Sequence, residues 1–208
     1  MQTVHNYEHS FKGRDEGMKI GREDALLVVD LQVDFCPGGA LSVPGGDEIV
    51  PMVNRLIGLF SSKGGKVVFS RDWHPENHCS FKRYGGIWPP HCVQNSPGAA
   101  FHPDLIVPPE AIVVSKGTNP KEEAYSAFIG TDLHITLNEA GARRIFLCGL
   151  ATDYCVKASA TDALKHGFGV YVIVDAVRGV DASHGDSARA LEEIEAQGSK
   201  LVSSKELE

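Results

Sequence analysis

Five short runs of consecutive apolar residues, rich in β-branched side chains, punctuate the chain. They cover residues 26–29, 67–69, 112–114, 145–147 and 170–174. Apolar positions that are continuous rather than alternating suit strands that are buried on both faces, as in a parallel sheet covered by helices. We therefore expect these runs to be the strands of a buried, mainly parallel sheet.

Between the runs, apolar residues recur at helical spacing. The helical patterns cover residues 49–60, 133–140, 156–164 and 188–194. A glycine follows each pattern, at Gly64, Gly141, Gly167 and Gly198, as is common where helices end. Because strands and helices alternate, the predicted fold class is α/β with a mainly parallel sheet.

Length and composition favour one globular domain. The chain has 208 residues, of which 42% are apolar and 23% charged, enough for one sizeable core. The opening residues are polar and lack periodicity, so we expect residues 1–24 to be an extension outside the core and residues 25–208 to form a single domain. A net charge of -7 argues against a nucleic-acid partner.

The five cysteines are odd in number and too sparse for a disulfide scaffold. The sequence shows neither an apolar run of membrane-spanning length nor a signal-peptide pattern. These features predict a cytoplasmic protein with reduced thiols and without a membrane partner.

Reactive side chains follow four of the predicted strands. Asp30 ends the first run, Asp72 and His74 follow the second, Lys116 follows the third, and Cys155 lies soon after the fourth. The carboxyl ends of parallel strands lie along one edge of a sheet, where ligand sites form. We expect these residues to converge in one cleft.

Cys155 is the predicted nucleophile because it lies where a helix begins. Unpaired N–H groups and the helix dipole favour a thiolate there, and a nearby Lys116 would lower the thiol pKa further. Asp30 is placed to accept the proton. The alternative, a buried structural cysteine, is the interpretation that we give to Cys148, inside the fourth strand.

Asp72, His74 and His91 are the predicted metal ligands. A carboxylate with imidazoles suits Zn²⁺, Mn²⁺ or Fe²⁺, with the remaining positions left to water or substrate. His78 is either a fourth ligand or a residue behind the ligands. Because Cys79 and Cys92 each follow a histidine, a structural His/Cys zinc site remains an alternative.

Six segments of the sequence resemble the nicotinamidases, within the isochorismatase-like hydrolases. They are residues 29–35 (VDLQVDF), 71–75 (RDWHP), 88–92 (WPPHC), 116–117 (KG), 125–128 (YSAF) and 149–156 (GLATDYCV). The match extends from about residue 25 to residue 180 in the family's order. The resemblance implies a three-layer αβα sandwich around about six strands, and hydrolysis of nicotinamide to nicotinate and ammonia through a cysteine thioester, in NAD salvage.

The resemblance also implies roles for individual residues and one divalent metal ion, with zinc as the first choice. It gives a catalytic triad, three metal ligands, three aromatic pocket residues and two backbone N–H donors of an oxyanion hole, with a cis peptide between Leu150 and Ala151. The triad is Asp30, Lys116 and Cys155, and the metal ligands are Asp72, His74 and His91. The pocket residues are Phe35, Trp88 and Tyr125, and the oxyanion-hole donors are the N–H groups of Ala151 and Cys155.

Other activities remain as alternatives. Isochorismatases do not use the cysteine, and family amidases acting on carbamoyl or ureido substrates generally lack the Asp-x-His motif at Asp72. A non-hydrolytic thiol or metal-binding protein would predict a Cys-x-x-Cys pair, which the chain lacks. The expected partner is a small amide such as nicotinamide or its analogue pyrazinamide, and homo-oligomerisation is left open.

Overall fold

The computed structural model describes residues 17–208 and contains a six-stranded sheet with helices on both faces. The strands are β1 (Asp24–Val29), β2 (Lys66–Asp72), β3 (Ile112–Lys116), β4 (Arg144–Leu150), β5 (Gly169–Arg178) and β6 (Lys200–Val202). The α-helices of this part are α1 (Val50–Ser62), α2 (Leu133–Glu139), α3 (Lys157–Lys165) and α4 (Asp186–Ala196). Most of the predicted N-terminal extension lies outside the described residues.

The strand order is β3-β2-β1-β4-β5-β6, and each neighbouring pair is parallel. The chain builds outward from β1 in one direction and then returns to add β4 on its other side. Such a reversal leaves a crevice at the carboxyl ends of the two strands, where open α/β sheets bind ligands. The fold thus provides a binding crevice between the ends of β1 and β4.

Alternate residues of the central strands enter two separate cores. In β1, Leu26 and Val28 pack on the face covered by α1, whereas Leu27 and Val29 pack on the face covered by α2, α3 and α4. All four side chains are fully buried, which is why the strand is apolar at consecutive positions. The predicted three-layer αβα sandwich with a parallel sheet is confirmed.

The connection from β2 to β3 passes over the carboxyl edge of the sheet. It contains no α-helix and is held by backbone pairing instead, at His74 with Val93 and at Phe81 with Trp88. This loop carries all three histidines selected from the sequence, His74, His78 and His91, and also Trp88. Its path brings them above the strand ends.

Residues near the start of the described chain pair with its end. The N–H of Ile20 donates to the carbonyl of Glu208 at 2.9 Å, and Met18 forms a bridge with Leu207. Ile20 is buried against the α1 face of the sheet. Within residues 17–208, no helix is both long and apolar enough to cross a membrane.

Candidate active site

Four reactive side chains lie at the carboxyl ends of four adjacent strands. Asp72 and Lys116 are the last residues of β2 and β3, Asp30 directly follows β1, and Cys155 lies in the turn that follows β4. Because these strands are parallel neighbours, their ends meet at one edge of the sheet. The predicted convergence of these residues is therefore observed.

The ammonium of Lys116 lies at the centre of this group. Its Nζ is 2.9 Å from Asp30 Oδ2 and 3.5 Å from Cys155 Sγ, and it also donates to Asp72 Oδ1. Its side chain has no exposed surface. Burial alone would lower the pKa of Lys116, but the two carboxylates raise that pKa well above its usual range. The lysine is therefore charged.

We call these four residues the Lys116 cluster: Asp30, Asp72, Lys116 and Cys155. Carboxylate oxygens of the two aspartates and the cysteine sulfur lie within 4.8 Å of one another, a spacing that also suits a metal ion. The ammonium already contacts all three, so the cluster is an ion-paired network rather than a cation site. A buried charge of this kind needs such pairing to be tolerated.

Asp30 has one oxygen that is held and one that can accept a proton. Its Oδ1 accepts a 2.7 Å hydrogen bond from Ser70 Oγ. Its Oδ2 faces Lys116 but accepts no well-aligned hydrogen bond within the described residues. Burial raises the pKa of Asp30, and the ammonium of Lys116 offsets this only in part. Asp30 is thus a stronger base than an ordinary aspartate.

Cys155 lies in a π-helical turn, Thr152–Val156, that leads into α3. The prediction that this position lowers the thiol pKa is wrong. Burial raises the pKa of Cys155 well above its usual range, and Lys116 opposes this while Asp30 adds to it. Only 6% of the residue is exposed, so desolvation of the thiolate outweighs the favourable helix end. The resting group is a thiol.

A second set of ligand atoms lies beside the Lys116 cluster. His74 Nε2 and His91 Nε2 are 3.4 and 3.8 Å from Asp72 Oδ2. Each Nδ1 contacts a backbone carbonyl, that of Gly117 at 3.0 Å and that of Pro89 at 2.8 Å. An N–H donated to a carbonyl fixes the tautomer and leaves the Nε2 lone pair for a metal. The three side chains fit a divalent metal ion with open positions.

His78 lies behind this set. Its Nδ1 is 2.7 Å from Ser80 Oγ and its Nε2 is 3.0 Å from the carbonyl oxygen of Glu122. Its ring packs on that of His74, with 4.2 Å between the ring centroids. Both ring nitrogens have protein partners in this geometry. His78 therefore packs behind His74, one of the candidate metal ligands, and does not offer a nitrogen to the metal.

The alternative zinc site at Cys79 and Cys92 gains no support from the geometry. In the part of the chain that the structure describes, neither cysteine belongs to a group of three converging ligand atoms. Cys92 is fully buried, and its N–H donates to Asp34 Oδ2 at 2.7 Å. Burial also raises the pKa of the Cys92 thiol, which disfavours the thiolate that zinc requires.

A pocket opens above Cys155 and is lined by the three predicted aromatic residues, Phe35, Trp88 and Tyr125, together with Ala151. Trp88 Nε1 donates to Tyr125 Oη at 2.9 Å, which fixes the two rings relative to each other. The expected cis peptide before Ala151 is present. The pocket therefore presents flat apolar walls over the thiol.

The isochorismatase domain family matches residues 24–206, which include the strands and all the residues of this site. The chain belongs to the isochorismatase family. The match covers well over half of the sequence and agrees with the resemblance read from the six segments.

Within the isochorismatase family, this chain is similar to nicotinamidases and pyrazinamidases. Nicotinamidase from Escherichia coli (strain K12) is 46% identical over 198 residues, which cover 85% of this chain and 93% of the relative. A structure of pyrazinamidase from Pyrococcus horikoshii in complex with zinc is 55% identical, with a TM-score of 0.84 and coverage of 87% and 99%. A structure from L. infantum in complex with nicotinate is 38% identical, with a TM-score of 0.86 and coverage of 92% and 98%.

Gln32, which the sequence did not single out, holds the backbone of Asp72. Gln32 Nε2 donates to the carbonyls of Asp72 and Ala99 at 2.8 and 2.9 Å, and its Oε1 accepts from the N–H of Asp72 at 2.7 Å. A glutamine offers no catalytic chemistry, so only its place two residues after Asp30 could have drawn notice. Ser70 was also not singled out, because its role depends on a hydrogen bond to Asp30 Oδ1 that forms only in the folded chain.

Two further pocket residues were also missed. Tyr154 lines the pocket, and its ring centroid is 5.2 Å from that of Trp88 and 5.7 Å from that of Tyr125. Glu123 contributes a half-exposed carboxylate to the lining. Both lie beside predicted residues in sequence, but no periodicity shows which neighbour faces a pocket.

We expect one divalent metal ion per chain, lost in His74→Ala and His91→Ala. Each substitution removes one of three protein ligands, and even loss of a residue that only supports a ligand typically costs about 10–100-fold in affinity. His102→Ala is the control, because within residues 17–208 His102 belongs to no converging ligand group, and its Nδ1 accepts the N–H of Asp104.

Elemental analysis of the purified variants, after equilibration with a defined concentration of free metal, measures this. Full metal content in both substituted proteins would contradict the assignment. Zinc that instead disappears in Cys79→Ser and Cys92→Ser would establish the structural site.

Proposed function

We propose that this chain is a nicotinamidase, which hydrolyses nicotinamide to nicotinate and ammonia. The observation that carries the proposal is one side chain, Asp72, which joins two sites in one pocket. Its Oδ1 accepts a hydrogen bond from Lys116 in the Lys116 cluster, and its Oδ2 faces His74 and His91. The nicotinamidase and pyrazinamidase relatives and the nicotinate complex support the same substrate class.

The reaction begins with proton transfer inside the Lys116 cluster. Asp30 takes the proton from Cys155, whose sulfur then bonds to the carboxamide carbon of nicotinamide. The raised pKa of Asp30 suits it to accept a proton. Its Oδ2 accepts no hydrogen bond within the described residues, so this oxygen can bind the proton. The ammonium of Lys116, 3.5 Å from the sulfur, stabilises the thiolate as it forms.

Attack by the sulfur moves the carbonyl π electrons onto the oxygen. Backbone N–H groups donate hydrogen bonds that stabilise the negative charge on this oxygen. Ala151 and Cys155 supply the N–H groups in the proposal, and each oxyanion donor is typically worth about 3–4 kcal/mol. When the tetrahedral intermediate collapses, the C–N bond breaks and Asp30 returns its proton to the departing nitrogen. Ammonia leaves, and the acyl group remains on Cys155 as a thioester.

Water completes the cycle. Asp30, now ionised again, accepts a proton from a water molecule that attacks the thioester carbon. The C–S bond then breaks, Asp30 returns its proton to Cys155, and nicotinic acid leaves and ionises to nicotinate by releasing a proton to solvent. Each turnover consumes one water, and the cluster returns to its starting protonation state.

Asp72, His74 and His91 would hold the metal ion, which we propose to be zinc, with Mn²⁺ or Fe²⁺ as alternatives. When bound, the ion supplies an electron-pair acceptor for the pyridine nitrogen and so fixes the ring. Phe35 and Trp88 provide flat surfaces for that ring. Orientation of this kind places the amide carbon over the thiol.

The alternatives are weaker on the same observations. A carbamoyl or ureido substrate has no ring nitrogen that could bind a metal ion held by Asp72, His74 and His91. A non-hydrolytic thiol or metal-binding protein would not need Lys116 and Asp30 buried beside the sulfur of Cys155.

Two wider expectations belong to the proposal. Pyrazinamide shares the ring shape and amide of nicotinamide, so we propose that it is also a substrate. The five cysteines are all free thiols, which suits the reducing conditions of the cytoplasm.

We expect nicotinamide to be hydrolysed much faster than benzamide. The two amides have the same shape and reactive group, so stacking on Phe35 and Trp88 cannot separate them. They differ in the ring nitrogen, and a misplacement of about 1 Å in the amide can cost on the order of 100-fold in rate. The measurement is kcat/KM for both amides with metal-loaded enzyme.

Metal removal is the matched control for that comparison. A chelator should depress turnover of nicotinamide far more than any residual turnover of benzamide. Equal kcat/KM values for the two amides in the metal-loaded enzyme would refute recognition of the ring nitrogen and favour another amide of the family.

We expect Ser70→Ala to move the acidic limb of the pH profile to higher pH. Asp30 acts as a base, so activity falls when the pH drops through its pKa. The hydrogen bond from Ser70 stabilises the ionised form and lowers the pKa of Asp30. Its loss should raise that pKa by about half a unit to one unit, since a hydrogen bond contributes about 0.5–1.5 kcal/mol.

The profile of kcat/KM against pH measures this shift. Ser159→Ala is the control, because Ser159 is also a fully buried serine, and its Oγ accepts from the N–H of Ala127 in a different part of the fold. An unshifted limb in Ser70→Ala, or the same shift in both variants, would contradict the role of Asp30 as the base.

A further inference from the structure

The charged side chains that line the pocket are acidic. They are Asp72, which is buried and paired with Lys116, and Glu123, which is half-exposed. Within the described residues, no lysine or arginine lines this pocket. Glu123 is therefore the carboxylate of the pocket lining that has no ion-pair partner within the described residues, whereas the lysines of the adjoining groove, Lys157 and Lys165, are paired with Glu193 and Asp162.

Glu123 lies where the pocket opens. It lines both the pocket over Cys155 and the wider groove that continues along α3, together with Tyr125 and Tyr154. Glu123 Oε1 accepts the N–H of Ala124 at 3.1 Å, which fixes one of its oxygens. The position makes Glu123 part of the entrance wall.

The negative charge of Glu123 acts on Tyr125, which forms part of the pocket wall. Burial raises the pKa of Tyr125, and the negative charge of Glu123 raises it further. Tyr125 in turn is hydrogen-bonded to Trp88 across the pocket. The carboxylate thus acts electrostatically on the space that a ligand ring would occupy.

The proposed reaction changes the charge of the ligand, from a neutral amide to an anionic acid. The buried charges of Asp30, Asp72 and Lys116 leave one net negative charge, and a divalent ion would turn this into one net positive charge. A positive interior attracts the anionic product more than the neutral substrate. A carboxylate at the entrance opposes that preference.

We propose that Glu123 is a specificity-determining residue that weakens the binding of carboxylate ligands in this pocket, the product included. The proposal rests on the proposed function for the identity of that product. Glu123 repels the carboxylate of nicotinate while leaving neutral pyridines unaffected. The enzyme thereby favours its neutral substrate over its charged product.

The test compares Glu123→Gln with wild type and with Glu122→Gln. The glutamine keeps an oxygen that can accept the N–H of Ala124, so the variant removes charge with little change of shape. Glu122 is the matched control, because its side chain is exposed and does not line the pocket. Calorimetric titration of zinc-loaded protein with nicotinate, and separately with neutral 3-hydroxymethylpyridine, gives the four variant affinities and the two of wild type.

We expect nicotinate to bind Glu123→Gln about 3–10-fold more tightly than wild type, and the gain to shrink at high salt because the carboxylate is half-exposed. Affinity for the neutral pyridine should stay within about 2-fold, as should both affinities of Glu122→Gln.

Three results would overturn the inference: equal nicotinate affinity in Glu123→Gln and wild type, an equal gain in Glu122→Gln, or an equal gain for the neutral ligand. Failure of nicotinate to bind any of the proteins would overturn it as well. Turnover of nicotinamide by the wild-type enzyme tests the proposed function separately, so the two failures are distinguishable.

Discussion

A single buried ammonium group, that of Lys116, is the constraint on which the site depends. It contacts both Asp30 and Asp72 and lies 3.5 Å from the sulfur of Cys155. These partners come from the ends of three other strands, so two ion pairs and one hydrogen bond to sulfur hold four strand ends in one arrangement. Removal of one partner would leave a buried charge uncompensated, which typically costs about 3–5 kcal/mol.

Asp72 extends this constraint to the metal-ligand set. One of its oxygens accepts from Lys116, and the other faces the free nitrogens of His74 and His91. The amide of Gln32 fixes the backbone of the same residue through both its N–H and its carbonyl. The thiol of Cys155 and the candidate metal ligands are thus held at a fixed separation, as the proposed orientation of a small rigid amide requires.

The sequence was sufficient where chemistry and periodicity coincide. Consecutive apolar runs predicted the parallel strands, and the reactive residues that follow them predicted the edge where Asp30, Lys116 and Cys155 meet. The short strand β6 was not identified from the pattern, because it has only two apolar residues, Leu201 and Val202, beside the exposed Lys200. Too few positions remain for a periodicity to be detected.

Properties that arise from tertiary burial were out of reach of the sequence. The helix end at Cys155 predicted a lowered thiol pKa, but desolvation by the folded pocket reverses the direction. The roles of Ser70 and Gln32 depend on partners 40 residues away, to which no local pattern points. Sequence reasoning therefore located the reactive groups but not the residues and the burial that set their protonation.

The most direct test of this account is mass spectrometry of metal-loaded enzyme that is quenched in acid during turnover of nicotinamide. The account predicts a nicotinoyl group on the peptide that contains Cys155, and on none of the peptides with the other four cysteines. The adduct should disappear when the substrate is exhausted, and Cys155→Ala should form neither adduct nor product. A nicotinoyl group on a different residue, or continued turnover by Cys155→Ala, would contradict it.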